Sequence, residues 1–190
     1  MRITFFDLES TALNANWGRI LCAAFAEWDD TDLENTSVDV FRRDRRPYRG
    51  DNLVDDSKLA IAIRDKLERS DIVVGWNSIM HDIPLLNARL RVIDEPPVKL
   101  GEKHATWHID LMYYSTGSSM KIGGKSLRLI SEFFGLPMKK LALDGDTWQL
   151  AAAGDSKALD LVVEHCIIDV KLTKGLWPYS SPGISKTSDG

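Results

Sequence analysis

The chain is organised around the stretch Ile3-Thr4-Phe5-Phe6-Asp7-Leu8-Glu9-Ser10-Thr11. Its β-branched and aromatic residues run up to Leu8 and small polar residues follow, which predicts a β-strand. Side chains two positions apart share one face of a strand, so Asp7 and Glu9 point the same way. Two adjacent carboxylates repel each other unless a cation or a proton lies between them. The pair therefore predicts a hard divalent metal ion or a perturbed acid, although a lone Asp-x-Glu also occurs in ordinary strands.

Composition and charge are those of an ordinary globular domain. The 190 residues are 44% hydrophobic and 27% charged, with a net charge of −4. We expect a single domain over residues 1–177 and a disordered Ser-, Gly- and Pro-rich tail over residues 178–190. No apolar run has the length of a membrane span and no signal-peptide pattern is present, so the expected location is cytoplasmic. The negative charge counts against a general nucleic-acid coat but does not exclude a nucleic-acid substrate.

Secondary-structure patterns predict an α/β fold. Strands are predicted over residues 19–28 and around 37–43, and with the first strand they suggest an antiparallel meander. Helix and strand then alternate, with a helix capped by Asp56 and Ser57, a buried strand over residues 71–77 and helices over 127–134 and 156–177. This order predicts one mixed sheet with helices on both faces.

Two further acids occur where such a fold can bring them to the first pair. Asp82 lies between the end of a predicted strand and a helix opened by Pro84, the usual place for sites in open α/β sheets. Alternatively, Asp82 only caps that helix. Asp169 follows His165 by four residues on the last helix, so the two side chains share a face. Alternatively, His165 and Asp169 are an ordinary solvent-exposed pair on a helix.

The residues around these acids resemble the motifs of the DEDD 3′–5′ exonucleases. Phe6-Asp7-Leu8-Glu9-Ser10 looks like the first motif, and His165-Cys166-Ile167-Ile168-Asp169 resembles the third. The run from Gly75-Trp76-Asn77 to His81-Asp82-Ile83-Pro84-Leu85-Leu86 is similar to the second motif of family-B DNA polymerase proofreading domains. Ile109-Asp110-Leu111 and Lys125-Ser126-Leu127 resemble the segment between motifs two and three. The resemblance spans most of residues 3–175.

The resemblance implies a ribonuclease H-like fold and a two-metal nuclease. Asp7, Glu9, Asp82 and Asp169 would be the four carboxylates that hold Mg²⁺ or Mn²⁺. This agrees with the chemistry, because phosphodiester hydrolysis needs charge neutralised on the attacking and leaving oxygens, which two cations roughly 3.5–4 Å apart achieve. Acidic ligands select Mg²⁺ or Mn²⁺ over softer metals.

His165 departs from the family pattern, because subfamilies carry Tyr four residues or His five residues before the last Asp. The imidazole can serve as general base for the attacking water, or it can only orient that water as a Tyr would. The resemblance also suggests substrate contacts. Asn77 would hold the substrate backbone or its own turn, Trp76 would be a core residue or a base-stacking surface, and backbone amides near Ser10 and Thr11 would contact the terminal nucleotide.

Basic residues are interpreted mainly as surface charge. The loop from Arg42 to Arg49, with Lys121, Lys125, Lys139 and Lys140, could instead line a path for phosphates.

The expected function is metal-dependent 3′–5′ exonuclease activity on single-stranded or frayed DNA, in proofreading or repair. No polymerase domain accompanies the motifs, so proofreading would serve a separate DNA polymerase. Two alternatives stay open. One is an exoribonuclease or structure-directed endonuclease on the same fold, because nothing in the sequence reports acceptance of a 2′-hydroxyl. The other is a non-catalytic nucleic-acid-binding or polymerase-accessory domain.

Overall fold

The computed structural model describes residues 1–29, 32–101, 104, 106–116, 120 and 122–181. Strands and helices alternate after an initial run of three strands. In chain order the elements are β1 (Ile3–Ser10), β2 (Ile20–Glu27), β3 (Asp39–Arg42), α1 (Ser57–Leu67), β4 (Ile72–Gly75), α2 (Asp82–Val92), β5 (Trp107–Asp110), α3 (Leu111–Thr116), α4 (Leu127–Phe133), α5 (Gly145–Ala153) and α6 (Ser156–Ser180).

The described strands form one mixed sheet in the order β3-β2-β1-β4-β5. β2 pairs antiparallel with both β1 and β3, whereas β4 pairs parallel with β1 and with β5. The carboxyl ends of β1, β3, β4 and β5 therefore lie at the same edge of the sheet. The predicted α/β class, a ribonuclease H-like mixed sheet with an antiparallel meander and parallel strands, is confirmed.

β1 separates two hydrophobic cores because its alternate side chains face opposite sides of the sheet. Ile3 and Phe5 belong to the core that α6 covers. Phe6 and Leu8 belong to the core that α1 and α2 cover. Asp7 and Glu9 are the next odd-numbered residues after Phe5, so they lie on the same face of β1. The strand therefore buries apolar side chains under α6 and, at its end, presents two acids to the same helix.

The predicted cap of α1 is different in the structure. Asp56 occupies the cap position, but its carboxylate makes no side-chain cap hydrogen bond. It accepts hydrogen bonds from the Arg89 guanidinium at 2.8 to 3.2 Å and from the Ile20 amide at 2.9 Å. Both charged side chains are buried. Leaving a buried carboxylate without a charged partner costs more free energy than leaving a helix end without a cap. The Asp56–Arg89 pair therefore forms instead of the cap, and it links α1, α2 and β2.

The last two helices also differ from the prediction. α6 continues through Pro178 to Ser180, so the predicted helix end at Trp177 and the disordered tail are wrong for residues 178–180. Residues 182–190 of that tail lie outside the described residues. α5 was not predicted, although Asp144 caps its start by accepting from the Thr147 amide and Gly154 ends it at φ 96°. Among the described residues, no helix combines the length and apolar character that crossing a membrane requires.

His108 on β5 is a partly buried titratable group that packs against the ring of Phe6. Its Nε2 atom shares a 2.9 Å hydrogen bond with the Ser78 hydroxyl. Burial lowers the pKa of His108 from 6.5 to about 4. Between these values the unfolded chain binds a proton that the folded protein does not bind, so this residue makes the free energy of unfolding fall as the pH decreases.

We predict that His108→Gln flattens this pH dependence. The fall in the free energy of unfolding between pH 6.5 and about 4 should shrink by up to about 3 kcal/mol, because Gln has no proton to gain. Urea unfolding at several pH values measures it. The control is Gln149→Ala, an exposed position without a titratable group, which should retain the wild-type slope. A wild-type slope in His108→Gln would contradict the prediction.

Candidate active site

β1 and α6 bring acids and an imidazole together at the carboxyl edge of the sheet. His165 and Asp169 lie one turn apart on α6 and are 9% and 5% exposed. The His165 Nε2 atom lies 3.5 Å from Glu9 Oε1 and 3.7 Å from Asp169 Oδ2. Ligand atoms of Glu9, His165 and Asp169 all fall within 4.8 Å of one another, and so do those of Asp7, Glu9 and Cys166.

Asp82 joins this group from the other side of the sheet. It is the first residue of α2, which begins at the carboxyl edge after β4, and it is 4% exposed. Its Oδ1 atom accepts a 3.2 Å hydrogen bond from the Leu8 amide. The cap position of α2 belongs to His81, which makes no side-chain cap bond. The carboxylate of Asp82 thus fastens the start of α2 to β1, between Asp7 and Glu9.

The pKa values of the acids show how closely they interact. Burial, followed by the charges of Glu9, Asp82 and Asp169, raises the pKa of Asp7 well above 3.8. Burial, followed by Cys22, Asp169 and Asp82, raises the pKa of Glu9 well above 4.5. The structure therefore brings together all four acids singled out from the sequence, and their mutual repulsion destabilises the charged state of the cluster.

Lys140 also belongs to this site, although the sequence analysis interpreted it mainly as surface charge. Its Nζ atom donates a short hydrogen bond to Asp169 Oδ2, and the Lys140 side chain is 29% exposed. Burial alone would lower the pKa of Lys140, but Asp169, Asp7 and Glu9 raise it above 10.5. The ammonium therefore stays charged and offsets part of the negative charge. A lysine pair after a helix is an ordinary surface pattern, which is why its role was missed.

The carboxylates leave acceptor capacity that suits a cation. Within the part of the chain that the structure describes, Asp7 Oδ2 and Asp169 Oδ1 are buried and have no hydrogen-bond partner. Buried carboxylate oxygens without donors are costly, and clustered oxygen ligands are the type that Mg²⁺ and Mn²⁺ prefer. The residues present therefore fit divalent metal ions held by these acids.

α5 supplies a second residue that the sequence analysis missed. The Trp148 ring packs edge-on against the His165 imidazole, with ring centroids 5.8 Å apart and an interplanar angle of 81°. The carboxyl end of α5 is held by the buried Arg43, whose guanidinium donates to the Ala151 and Ala152 carbonyls at 2.7 and 2.8 Å. Burial lowers the pKa of His165 below 6.5, although Asp169 opposes this shift. The imidazole is therefore neutral near pH 7.

A buried acid shapes the loop that delivers Asp82. Asp110 accepts hydrogen bonds from the amides of Asn77, Ile79 and Met112 at 2.8, 3.0 and 3.1 Å. Asn77 adopts a left-handed conformation with φ 57°, which Asn tolerates better than most residues. The backbone of Asn77 forms this turn, and its predicted contact with the substrate stays a prediction.

The other predicted substrate residues lie at the same edge. Trp76 packs against the α6-side core, and its Nε1 atom donates to the Lys125 carbonyl at 3.1 Å. It also lines a cleft of about 1020 Å³, together with Asn77, Met80, Met112, Tyr113, Lys125, Lys140 and His165. The Thr11 amide, a predicted contact for the terminal nucleotide, donates a hydrogen bond to the Arg19 carbonyl at 2.9 Å. This amide is therefore already engaged within the β1–β2 turn. Ser10 follows a register shift that ends the regular pairing of β1.

Comparison with known proteins defines the class of this fold and site. A sequence model of the RNase H superfamily matches residues 4–179, and the chain belongs to this superfamily. Membership and the acidic cluster support a nuclease-type function.

Among solved structures, the chain is similar to the family B DNA polymerase from the hyperthermophilic archaeon Pyrobaculum calidifontis. The TM-score is 0.68 at 20% sequence identity, which shows a shared fold. The match covers 94% of this chain and 24% of the polymerase chain, so this chain spans about a quarter of that protein. The resemblance drawn from the sequence motifs is thus confirmed for the fold. No curated protein sequence matches the chain.

Charge repulsion in the cluster predicts opposite effects of two neutralising substitutions. In the presence of a metal chelator, Asp7→Asn should raise the free energy of unfolding, because it removes repulsion among the acids. Lys140→Gln should lower the free energy of unfolding, because it leaves Asp169 unpaired. Each change should be about 1–2 kcal/mol. Chemical denaturation at neutral pH measures both. Glu164→Gln, at an exposed position, is the control and should change little. Shifts of the same sign would contradict this account of the site.

Proposed function

We propose that this chain is a metal-dependent 3′–5′ exonuclease that hydrolyses phosphodiester bonds at the 3′ end of single-stranded or frayed DNA. The observation that carries the proposal is the convergence of Asp7, Glu9, Asp82 and Asp169, with buried carboxylate oxygens that no described group satisfies. A domain that only bound nucleic acid would gain nothing from four acids that repel each other and the phosphates of its ligand. Metal ions would remove both penalties.

The four acids would hold two divalent ions, Mg²⁺ or Mn²⁺. Bound ions of this kind neutralise the attacking and leaving oxygens of a phosphodiester and lower the pKa of water. The protein's own contribution is to keep the carboxylates fixed. Asp82 is held by the Leu8 amide, and Asp7 and Glu9 are part of a strand that pairs on both sides. Such fixed positions reduce the reorganisation that the reaction requires.

His165 would contact the attacking water. Its imidazole is neutral near pH 7, lies within 4 Å of two carboxylates, and is held on its edge by Trp148. A neutral imidazole can accept the proton of that water, and it can also fix the direction of the water's lone pair. Lys140, which lines the cleft and is charged, would attract the phosphate and balance the acids when the ions leave.

The cleft beside the acids suits the end of a single strand. Trp76, Met80, Met112 and Tyr113 give it aromatic and apolar walls, which accept unpaired bases of any sequence. The preference for DNA rests on the likeness to a DNA polymerase, and it suggests proofreading for a separate polymerase or a role in repair. The fold alone is compatible with an exoribonuclease or an endonuclease.

Three end-labelled substrates test the function. Single-stranded DNA should shorten stepwise from its 3′ end with Mg²⁺ or Mn²⁺, and matched RNA should react more slowly. Asp7→Ala should abolish cleavage and keep its circular dichroism spectrum, because the change removes a metal ligand and relieves repulsion. Cutting of a covalently closed circle would favour an endonuclease, and equal or faster RNA shortening would favour an exoribonuclease. Substantial activity in Asp7→Ala would mean that the site lies elsewhere.

Replacement of His165 tests the role of the imidazole. His165→Gln should lower kcat by about 100-fold or more, because the water loses its proton acceptor or its orienting group. KM for the DNA should change much less, since the imidazole contacts the reacting water. Single-turnover kinetics with His165→Tyr as the matched variant separate the two roles: recovered activity supports orientation, and no recovery supports proton transfer. Wild-type kcat in His165→Gln would remove this residue from the proposed mechanism.

A further inference from the structure

The loop that follows β3, here called the arginine loop (Arg42–Arg49), concentrates positive charge in an acidic protein. It contains five arginines and one aspartate, against a net charge of −4 for the chain. The first two arginines have structural roles. Arg42 forms ion pairs with Asp44 and Asp160 at 2.6 and 2.7 Å, and Arg43 is buried against the end of α5.

The later arginines of this loop are not explained by the fold. Arg45, Arg46 and Arg49 are exposed, and among the described residues Arg46 and Arg49 form no ion pair within 4 Å. These two arginines line a pocket of about 460 Å³ with Lys58, whose ammonium lies 3.6 Å from the Asp51 carboxylate at the same pocket. Unpaired guanidinium groups around a concave surface are suited to phosphate oxygens.

The backbone of the arginine loop is held firmly in place. Tyr48 stacks on Phe41 with ring centroids 4.4 Å apart, and the Arg49 amide donates to the Arg45 carbonyl at 2.9 Å. Arg43 also donates to the Leu53 carbonyl at 3.1 Å, which joins the loop to the segment before α1. The exposed arginines therefore project from an ordered platform, and binding an anion there requires little ordering of the chain.

The sheet register places the start of the arginine loop relative to the acids. Glu9 pairs with Cys22, and Cys22 pairs with Arg42, so the arginine loop leaves β3 directly across from Glu9. Two strand spacings of about 4.8 Å separate β3 from β1, which gives about 10 Å. A strand bound over the acids therefore has to extend only a few nucleotides further to reach the arginine loop. The loop and the acids share the carboxyl edge of the sheet.

We propose that Arg46, Arg49 and Lys58 form a phosphate-binding surface for the part of the nucleic acid that lies a few nucleotides away from the acidic cluster. The inference rests on the proposed nuclease function and adds a length requirement to it. A short fragment would reach only the cleft, whereas a longer strand would also contact the arginine loop. Trp17, 77% exposed on the β1–β2 turn at this edge, offers a stacking surface beside the path.

Binding measurements in chelator test this surface without turnover. Fluorescence anisotropy would compare the double variant Arg46→Gln/Arg49→Gln with wild type, using single-stranded DNA of about twenty and of about three nucleotides. The longer strand should bind about tenfold more weakly to the variant than to wild type. The slope of log affinity against log salt should decrease in magnitude by about 1.4, since the variant loses two phosphate contacts and each contributes about 0.7 on a single strand. The short strand should bind both proteins equally.

The matched control is Arg69→Gln/Arg91→Gln, which removes the same charge from exposed positions. Both control residues lie at the opposite edge, after α1 and at the end of α2. Unchanged affinity for the longer strand in the arginine-loop variant, or an equal loss in the control, would overturn the proposal. Failure of the nuclease function is a separate result, because it would appear as no strand shortening by the wild-type protein with Mg²⁺ or Mn²⁺.

Discussion

Electrostatic repulsion among buried carboxylates is the constraint on which this structure depends. Burial, together with the charges of neighbouring acids, raises the pKa of Asp7 and of Glu9 at the carboxyl edge of the sheet. Such a cluster forms only where the surrounding packing is strong enough to hold it. Here the two cores on either side of β1 provide that packing, and Lys140 places an ammonium group beside Asp169.

The topology explains why residues so far apart in the sequence meet. Asp7 and Glu9 lie on the α6 side of β1 because the strand alternates between two cores. Asp169 comes from the helix that covers that side, and Asp82 comes from the helix that begins at the same edge after the parallel strand β4. A central strand with an antiparallel neighbour on one side and a parallel neighbour on the other therefore brings acids from three elements together.

Much of the fold was predictable because its signals are local. The alternation in β1, the run of three strands and the helix that contains Asp169 can each be recognised from neighbouring residues. The grouping of the four acids was predicted from the resemblance of their surroundings to the exonuclease motifs. The parts that were missed depend on contacts between distant segments. Lys140 reads as surface charge until α6 brings Asp169 to it, and Trp148 lies on a short helix whose caps alone indicate it. Asp56 stands at the predicted cap position but makes no cap hydrogen bond, because its carboxylate pairs with Arg89 on another helix.

The bond between Asp82 and the Leu8 amide has a consequence for side-chain length at this position. One carboxylate oxygen reaches the backbone of β1 at 3.2 Å, while the same group contributes its charge to the cluster. An additional methylene, as in glutamate, would displace one of these two oxygens or push α2 away from the strand. Position 82 therefore discriminates between the two acidic amino acids on geometric grounds, even though they carry the same charge.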